Sequence, residues 1–249
     1  MGSRPGRRLT SLAGWLGARR GADELSGRVA VLSPHLDDAV LSLGAGIARA
    51  ARRGAEVTVV TVLAGHSGST APAGDWDSRC GFRTAGEATR TRRAEDARAC
   101  AHVGASPVWL PFFDHQYDRG ADDETILAAL DEALGDAETV LVPGFPLVHE
   151  DHLWVVRLID RRSQTGRRVG RYVEQPYALW SDVAPDAAHR WSRLPATFPD
   201  RLAKLRACRE YRSQVPLLGK RLLLLIARYE AARGGEAVSW QRDATRDEI

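Results

Sequence analysis

RVAVLSPHLDDAVLSLGAGIARAARRGAEVTVVTVLAG, residues 28–65, is the stretch that decides the fold. It opens on a short β-branched run, RVAVLS (28–33), of the kind that forms a buried strand, and closes on a second, EVTVVTVLAG (56–65). Between them DDAVLSLGAGIARAARRG (37–54) reads as a helix that Gly54 closes, since glycine takes the left-handed backbone on which many helices end. The alternation continues. RTAGEATRTRRAEDARACAHVG (83–104) is helical, PVWLP (107–111) a strand, DDETILAALDEALG (122–135) a helix, ETVLVPG (138–144) a buried strand and EDHLWVVRLIDRR (150–162) a helix. Strands alternating with helices predict an α/β fold, a mostly parallel sheet with helices on both faces. Beyond it RYVEQPYALW (171–180) reads as a strand with its proline near one end, and residues 200–214 and 217–235 as two helices. No repeat or linker interrupts the chain, so residues 28–249 are expected to form a single domain after a lead-in at 1–27.

The totals agree with a folded globular protein: 249 residues, 44% hydrophobic and 27% charged. A formal charge of +3 is small for this length, and arginine pairs such as Arg52-Arg53 and Arg161-Arg162 are scattered among acids. That pattern excludes a nucleic-acid footprint, which needs basic residues gathered on one face. The cysteines, Cys80, Cys100 and Cys208, have neither CxxC nor scaffold spacing, which fits a reducing compartment and a cytoplasmic location. The first residues carry no secretory pattern, and the longest apolar run, LLLLIA (222–227), is far shorter than the ~20 residues of a membrane span. Oligomeric state leaves no mark on the sequence.

In an open α/β sheet the ligand crevice lies beyond the carboxyl ends of the strands. Two segments fall there, SPHLDD (33–38) and PLVHEDHLW (146–154). His35 and Asp38 stand three apart across a strand-to-helix turn, and His152 can reach them from a neighbouring strand end. Two nitrogens and one carboxylate with an open fourth position form the donor set of a catalytic zinc site. Asp37 is then free to serve as general base, and His149, as an imidazolium, to stabilise an oxyanion or protonate a leaving amine. The competing explanation is that both acid pairs, Asp37-Asp38 and Glu150-Asp151, simply cap helices. Capping does not call for histidine, however, and three of the seven histidines fall at these two turns. The other four, His66, His102, His115 and His189, read as structural or surface residues. The long loop GHSGSTAPAGDWDSRCGF (65–82) either borders the pocket, with Trp76 and Asp75 or Asp77 available to a sugar, or packs its tryptophan back on the core. Gly44 and Gly46 form a GxG, but inside the predicted helix rather than in the turn before it, which argues against a dinucleotide site.

SPHLDD resembles the PHPDD signature of the PIG-L/LmbE-like zinc-dependent deacetylases, and HEDH (149–152) resembles their second signature, HPDH. Similar stretches follow in TRRAEDARACAHVG (91–104), LPFFDHQY (110–117) and KLRACREYRSQ (204–214). The resemblance spans about Arg28 to Gln214. It implies a Rossmann-like fold and removal of the N-acetyl group from an N-acetylglucosamine-type sugar in a small glycoside. By the same resemblance His35, Asp38 and His152 bind Zn2+, Asp37 is the general base, and His149 stabilises the oxyanion. Asp151 orients His149 or a metal ligand, and Arg92 or Arg93, with Asp114, contact substrate. Three departures stand out: Leu36 and Glu150 replace prolines, and Ala39 replaces an acid. The PHLDDA form resembles a branch of the family found in bacterial secondary metabolism. A non-catalytic metal- or sugar-binding member, or an amidase for another N-acyl sugar, is the alternative.

Overall fold

The computed structural model describes residues 24–162, 166–181 and 190–241. The chain begins with β1 (Arg28–Ser33), α1 (Asp38–Arg52) and β2 (Glu56–Thr61), and continues through a short α2 (Asp75–Arg79) to α3 (Ala85–Val103) and β3 (Ser106–Trp109). Then follow α4 (Asp123–Leu134), β4 (Thr139–Phe145), α5 (Glu150–Asp160), β5 (Arg168–Val173) and α6 (Tyr177–Trp180). The last elements are β6 (Trp191–Arg193), α7 (Phe198–Cys208), α8 (Val215–Leu218), α9 (Leu222–Arg233) and β7 (Ala237–Trp240).

One seven-stranded sheet has the order β3-β2-β1-β4-β5-β7-β6. Strands β1 to β5 run parallel to one another, and β7 pairs antiparallel with both β5 and β6. Alternation along each strand sorts its side chains between two cores. Val29, Val31, Val57, Val59 and Leu141 face α1, α3, α7 and α9, whereas Ala30, Leu32, Val60, Val140 and Val142 face α4 and α5. The chain runs outward from β1 to β3, then returns to start β4 on the other side of β1. That reversal creates a crevice between β1 and β4, the place where an open α/β sheet binds its ligand.

Several segments differ from the sequence reading; the stretch 217–235, read as one helix, divides between α8 and α9, and α2 and β6 were not foreseen. EQPYALW leaves the sheet after Val173 and turns into α6, and AVSW, with no alternation long enough to read, forms β7. The expected lead-in lies outside the described residues except for 24–27, and these already belong to the domain. Leu25 is buried in the core, and Glu24 pairs with Arg49 and Arg53. The GxG in α1 has a packing reason. Beneath it the Glu236 carboxylate accepts the amides of Ala45 (2.9 Å) and Gly46 (2.6 Å) and pairs with Lys204 at 2.7 Å. A Cβ on Gly44 would come within 2.9 Å of Lys204 Cγ, and one on Gly46 within 2.6 Å of Leu194 Cδ1. No helix of the described residues is long and apolar enough to cross a membrane.

Candidate metal centre and active site

The turn after β1 is tied together by its own side chains. Ser33 Oγ accepts the amide of Ala39 (3.0 Å) and donates to the carbonyl of His35 (2.6 Å), while Asp38 Oδ2 accepts the His35 amide at 2.8 Å. Helix α1 is thus capped from Ser33, and Asp37, at the N-cap position, makes no side-chain capping bond. Its carboxylate faces the cavity instead. At the end of β4, Leu147 holds a left-handed φ of 52° and donates its amide to Glu174 Oε2 at 3.1 Å. His149 then caps α5, its Nδ1 accepting the Asp151 amide at 3.2 Å.

These two turns bring His35, Asp38 and His152 together. His35 Nδ1 lies 3.3 Å from Asp38 Oδ2, and His152 Nε2 lies 3.2 Å from both Asp38 Oδ2 and His35 Nδ1. Metal–ligand bonds of about 2.0–2.2 Å in a tetrahedral site imply ligand–ligand edges of about 3.3–3.6 Å. The observed triangle has nearly these edges, so the three donors fit one face of such a site. Each histidine is oriented through its other nitrogen: His35 Nε2 meets Asp151 Oδ2 at 3.1 Å, and His152 Nδ1 is hydrogen-bonded to Glu174 Oε1. Carboxylates behind metal-binding imidazoles fix the tautomer and raise ligand basicity.

Electrostatics point the same way. Burial works against charge on Asp38, yet His152 and His35 hold its carboxyl far below the usual range. Burial likewise opposes charge on the histidines, but Asp38 with Glu174 takes His152 up to about 9, and Asp151 with Asp38 raises His35 well above its ordinary value. A site that draws protons so strongly favours any cation, a divalent metal included. Asp37 stands apart: burial first, then the neighbouring Asp38 charge, push it up to about 7, against the pull of His35 and Arg92. Burial, with the charges of His35 and His152, lowers His149 to about 4. The imidazolium expected at His149 is therefore corrected. Its Nδ1 accepts a backbone hydrogen, which leaves the neutral ring with Nε2–H as its donor.

A cavity of ≈ 360 Å³ opens over this centre, lined by His35, Asp37, Asp38 and His149 and, further out, by Trp76, Arg92, Asp114 and His115. Trp76 thus borders the pocket. Asp77 does not: it is buried against Tyr117 (2.6 Å) and Arg92 (2.6 Å), and Tyr117 also accepts the Gly74 amide, so the 65–82 loop is pinned to the 114–117 loop. Arg93 also turns away from the cavity. Adjacent residues on a helix face about 100° apart, and Arg93 donates to the carbonyls of Ala64 and Gly65. The Asp151 carboxylate orients the His35 ring rather than the His149 ring.

Sequence reading missed His115 and Glu174. His115 Nδ1 bonds Asp151 Oδ2 at 2.7 Å, and Arg119 grips the other Asp151 oxygen at 2.9 Å while lying 3.9 Å over Trp154. His115, His149 and Asp151 place donor atoms within 4.8 Å of one another, but these bonds already use the Asp151 carboxylate. His115 was visible only as the residue after Asp114, and Glu174 only as an acid at the end of the strand next to β4.

The model of the family described as PIG-L, GlcNAc-PI de-N-acetylase, matches residues 30–162, from β1 through α5. The chain belongs to the PIG-L family. Both turns that form the His35–Asp38–His152 triangle lie inside the matched region. A relative, the 2'-N-acetylparomamine deacetylase of Streptomyces fradiae, is 32% identical over 176 residues, 63% of this chain and 60% of the relative. The alignment thus spans less than two thirds of that relative's length. Among solved structures, the A40926 pseudoaglycone deacetylase superposes with a TM-score of 0.70 at 28% identity, covering 88% of this chain and 97% of the other. A deacetylase of the teicoplanin pathway superposes with 0.71 at 25% identity, covering 88% and 99%. The fold of this PIG-L member is therefore that of antibiotic-pathway deacetylases. Ala39, where the family resemblance leads one to expect an acid, is 1% exposed and its amide is satisfied by Ser33, so the turn is complete without that acid.

Proposed function

We propose that the chain is a zinc-dependent N-deacetylase that hydrolyses the N-acetyl amide of a glucosamine-type amino sugar in a small glycoside. The observation that carries this reading is Asp37, a carboxylate at a helix N-cap position that does not cap the helix, set beside the His35–Asp38–His152 triangle and pushed up to about 7. A general base works best when its pKa lies near the operating pH. Zinc bound by His35, Asp38 and His152 would supply Lewis acidity for the amide carbonyl and for a water molecule. Asp37 takes the water's proton as its oxygen attacks the carbonyl carbon. His149 donates its Nε2–H to the oxygen as negative charge develops there. Asp37 then returns the proton to the nitrogen as the C–N bond breaks, releasing acetate and a free amine. Asp151 and Glu174 keep the two histidine rings oriented throughout.

The relatives named above are deacetylases of antibiotic intermediates, which supports a natural-product glycoside as the substrate class. Cys100 and Cys208 are buried free thiols and Cys80 is also unpaired, which supports action in the cytoplasm. The test is acetate release from N-acetylglucosaminides by the full chain supplied with zinc. Release that follows zinc content is the expected result; stoichiometric zinc with no acetate from any such glycoside overturns the reading.

A further inference from the structure

The cavity lining has two unlike parts. One is polar: Asp114 and Gln116, hydrogen-bonded to each other, line the opening. The other is an aromatic ledge that starts at the His152 ring. Tyr177 meets the His152 ring edge-on at 4.9 Å, and Trp180 meets Tyr177 edge-on at 6.1 Å. Trp180 is 50% exposed although it lines the cavity, and Leu218 and Pro176 line the same opening. Trp180, Leu218 and Pro176 together line one cavity as an apolar and aromatic patch, the kind of surface that marks a ligand groove. The ledge itself consists of apolar and aromatic side chains, with no carboxylate among Pro176, Tyr177, Trp180 and Leu218.

On the deacetylase reading, we propose that this ledge is the aglycone subsite and that it takes an apolar, aromatic ring system. The N-acetyl group must reach His35, Asp38 and His152 at the floor, so the sugar hydroxyls turn to Asp114 and Gln116. The group on the sugar's other end then leaves over Tyr177 and lies against Trp180 and Leu218. A cationic aminocyclitol in that position would lose water without gaining a carboxylate partner, a net loss in a partly dehydrated cleft. An aryl group instead gains an aromatic face and excludes water from Trp180. Aromatic pairing and burial of this kind are worth roughly a ten-fold gain in affinity.

The experiment reads binding and turnover separately. Calorimetry on the zinc-loaded full chain compares deacetylated glucosaminides carrying methyl, phenyl and naphthyl groups with one carrying a cationic aminocyclitol. Acetate release is then measured for the N-acetyl forms. The expected result is phenyl and naphthyl binding roughly ten-fold tighter than methyl, with KM rather than kcat carrying the difference. In Trp180→Ala and in Leu218→Ser the aryl-to-methyl ratio should fall toward one. Trp180 is half exposed, so its replacement does not threaten the core, and circular dichroism checks the fold. Equal affinities, tightest binding of the aminocyclitol glycoside, or an unchanged ratio in both variants overturns the proposal. Aryl preference without acetate release would sink the deacetylase reading alone, and acetate release without aryl preference would sink this one alone.

Discussion

His35 Nε2 lies 3.1 Å from Asp151 Oδ2, so the carboxylate at the start of α5 fixes the ring that projects from the turn after β1. With Nε2 held in this way, Nδ1 presents its lone pair toward Asp38 and His152. Asp151 is itself held by Arg119 and His115. Asp151→Asn should therefore weaken zinc binding about 10- to 100-fold, and Glu174→Gln should do the same through His152. Competition with a chromogenic chelator measures both, and unchanged zinc affinity in either variant would contradict the assigned tautomers.

Asp37→Asn separates base from ligand. The Asp37 side chain makes no capping bond, and its removal leaves the His35–Asp38–His152 triangle intact. Zinc content should stay stoichiometric while kcat falls about 10²- to 10⁴-fold, the usual contribution of a positioned general base. Loss of zinc together with activity would show that Asp37 serves the metal instead.

Lys204 sits buried between Glu230 and Glu236, 2.5 Å and 2.7 Å from their carboxylates. Lys204→Met leaves two buried acids without their cation and should cost about 3–5 kcal/mol. Even with the lysine present, burial, with Glu236 adding to it against the pull of Lys204, pushes Glu230 up to about 7. An acid whose folded pKa exceeds its unfolded value loses stability as pH rises from about 4.3, the unfolded value, toward 7. The defect in the variant should accordingly be larger at pH 8 than at pH 5, as read by urea denaturation.

Asp200 closes the capping box of α7. Its Oδ2 accepts the amide and the hydroxyl of Thr197, each at 2.6 Å, and Oδ1 meets Arg52 at 2.6 Å. Burial opposes the charge, but Thr197 and Arg52 outweigh it and lower the pKa. A lowered folded pKa stabilises the protein above the unfolded value and the benefit disappears as pH falls. Asp200→Asn should cost about 1 kcal/mol at neutral pH, and its gap from the parent should close below about pH 4.

Much of the fold was legible because it is local. RVAVLS, its helix and EVTVVT each carry their period within a few residues, and β1, α1 and β2 fall where that pattern puts them. The triangle was legible for a related reason: His35 and Asp38 share one turn, and topology alone carries His152 to it. Glu174 and His115 were not, because each reaches the centre from a strand end or loop with no fixed spacing to HLDD or HEDH. Arg92 and Arg93 could not be told apart in sequence, since their roles depend on the rotation of α3 against the sheet. AVSW is too short to show a period, and its place in the sheet is set by pairing with β5 and β6 rather than by its own residues.

The match to the PIG-L family ends at residue 162, yet helix α1, which carries Asp38, is held from below by Glu236 and Lys204. The half of the chain that bears the His35–Asp38–His152 triangle is therefore not a self-sufficient module. Cut loose from its last strand, α1 would keep its sequence and lose the carboxylate that fastens its middle turn. Any attempt to transplant the centre into a smaller scaffold must bring those distant residues along.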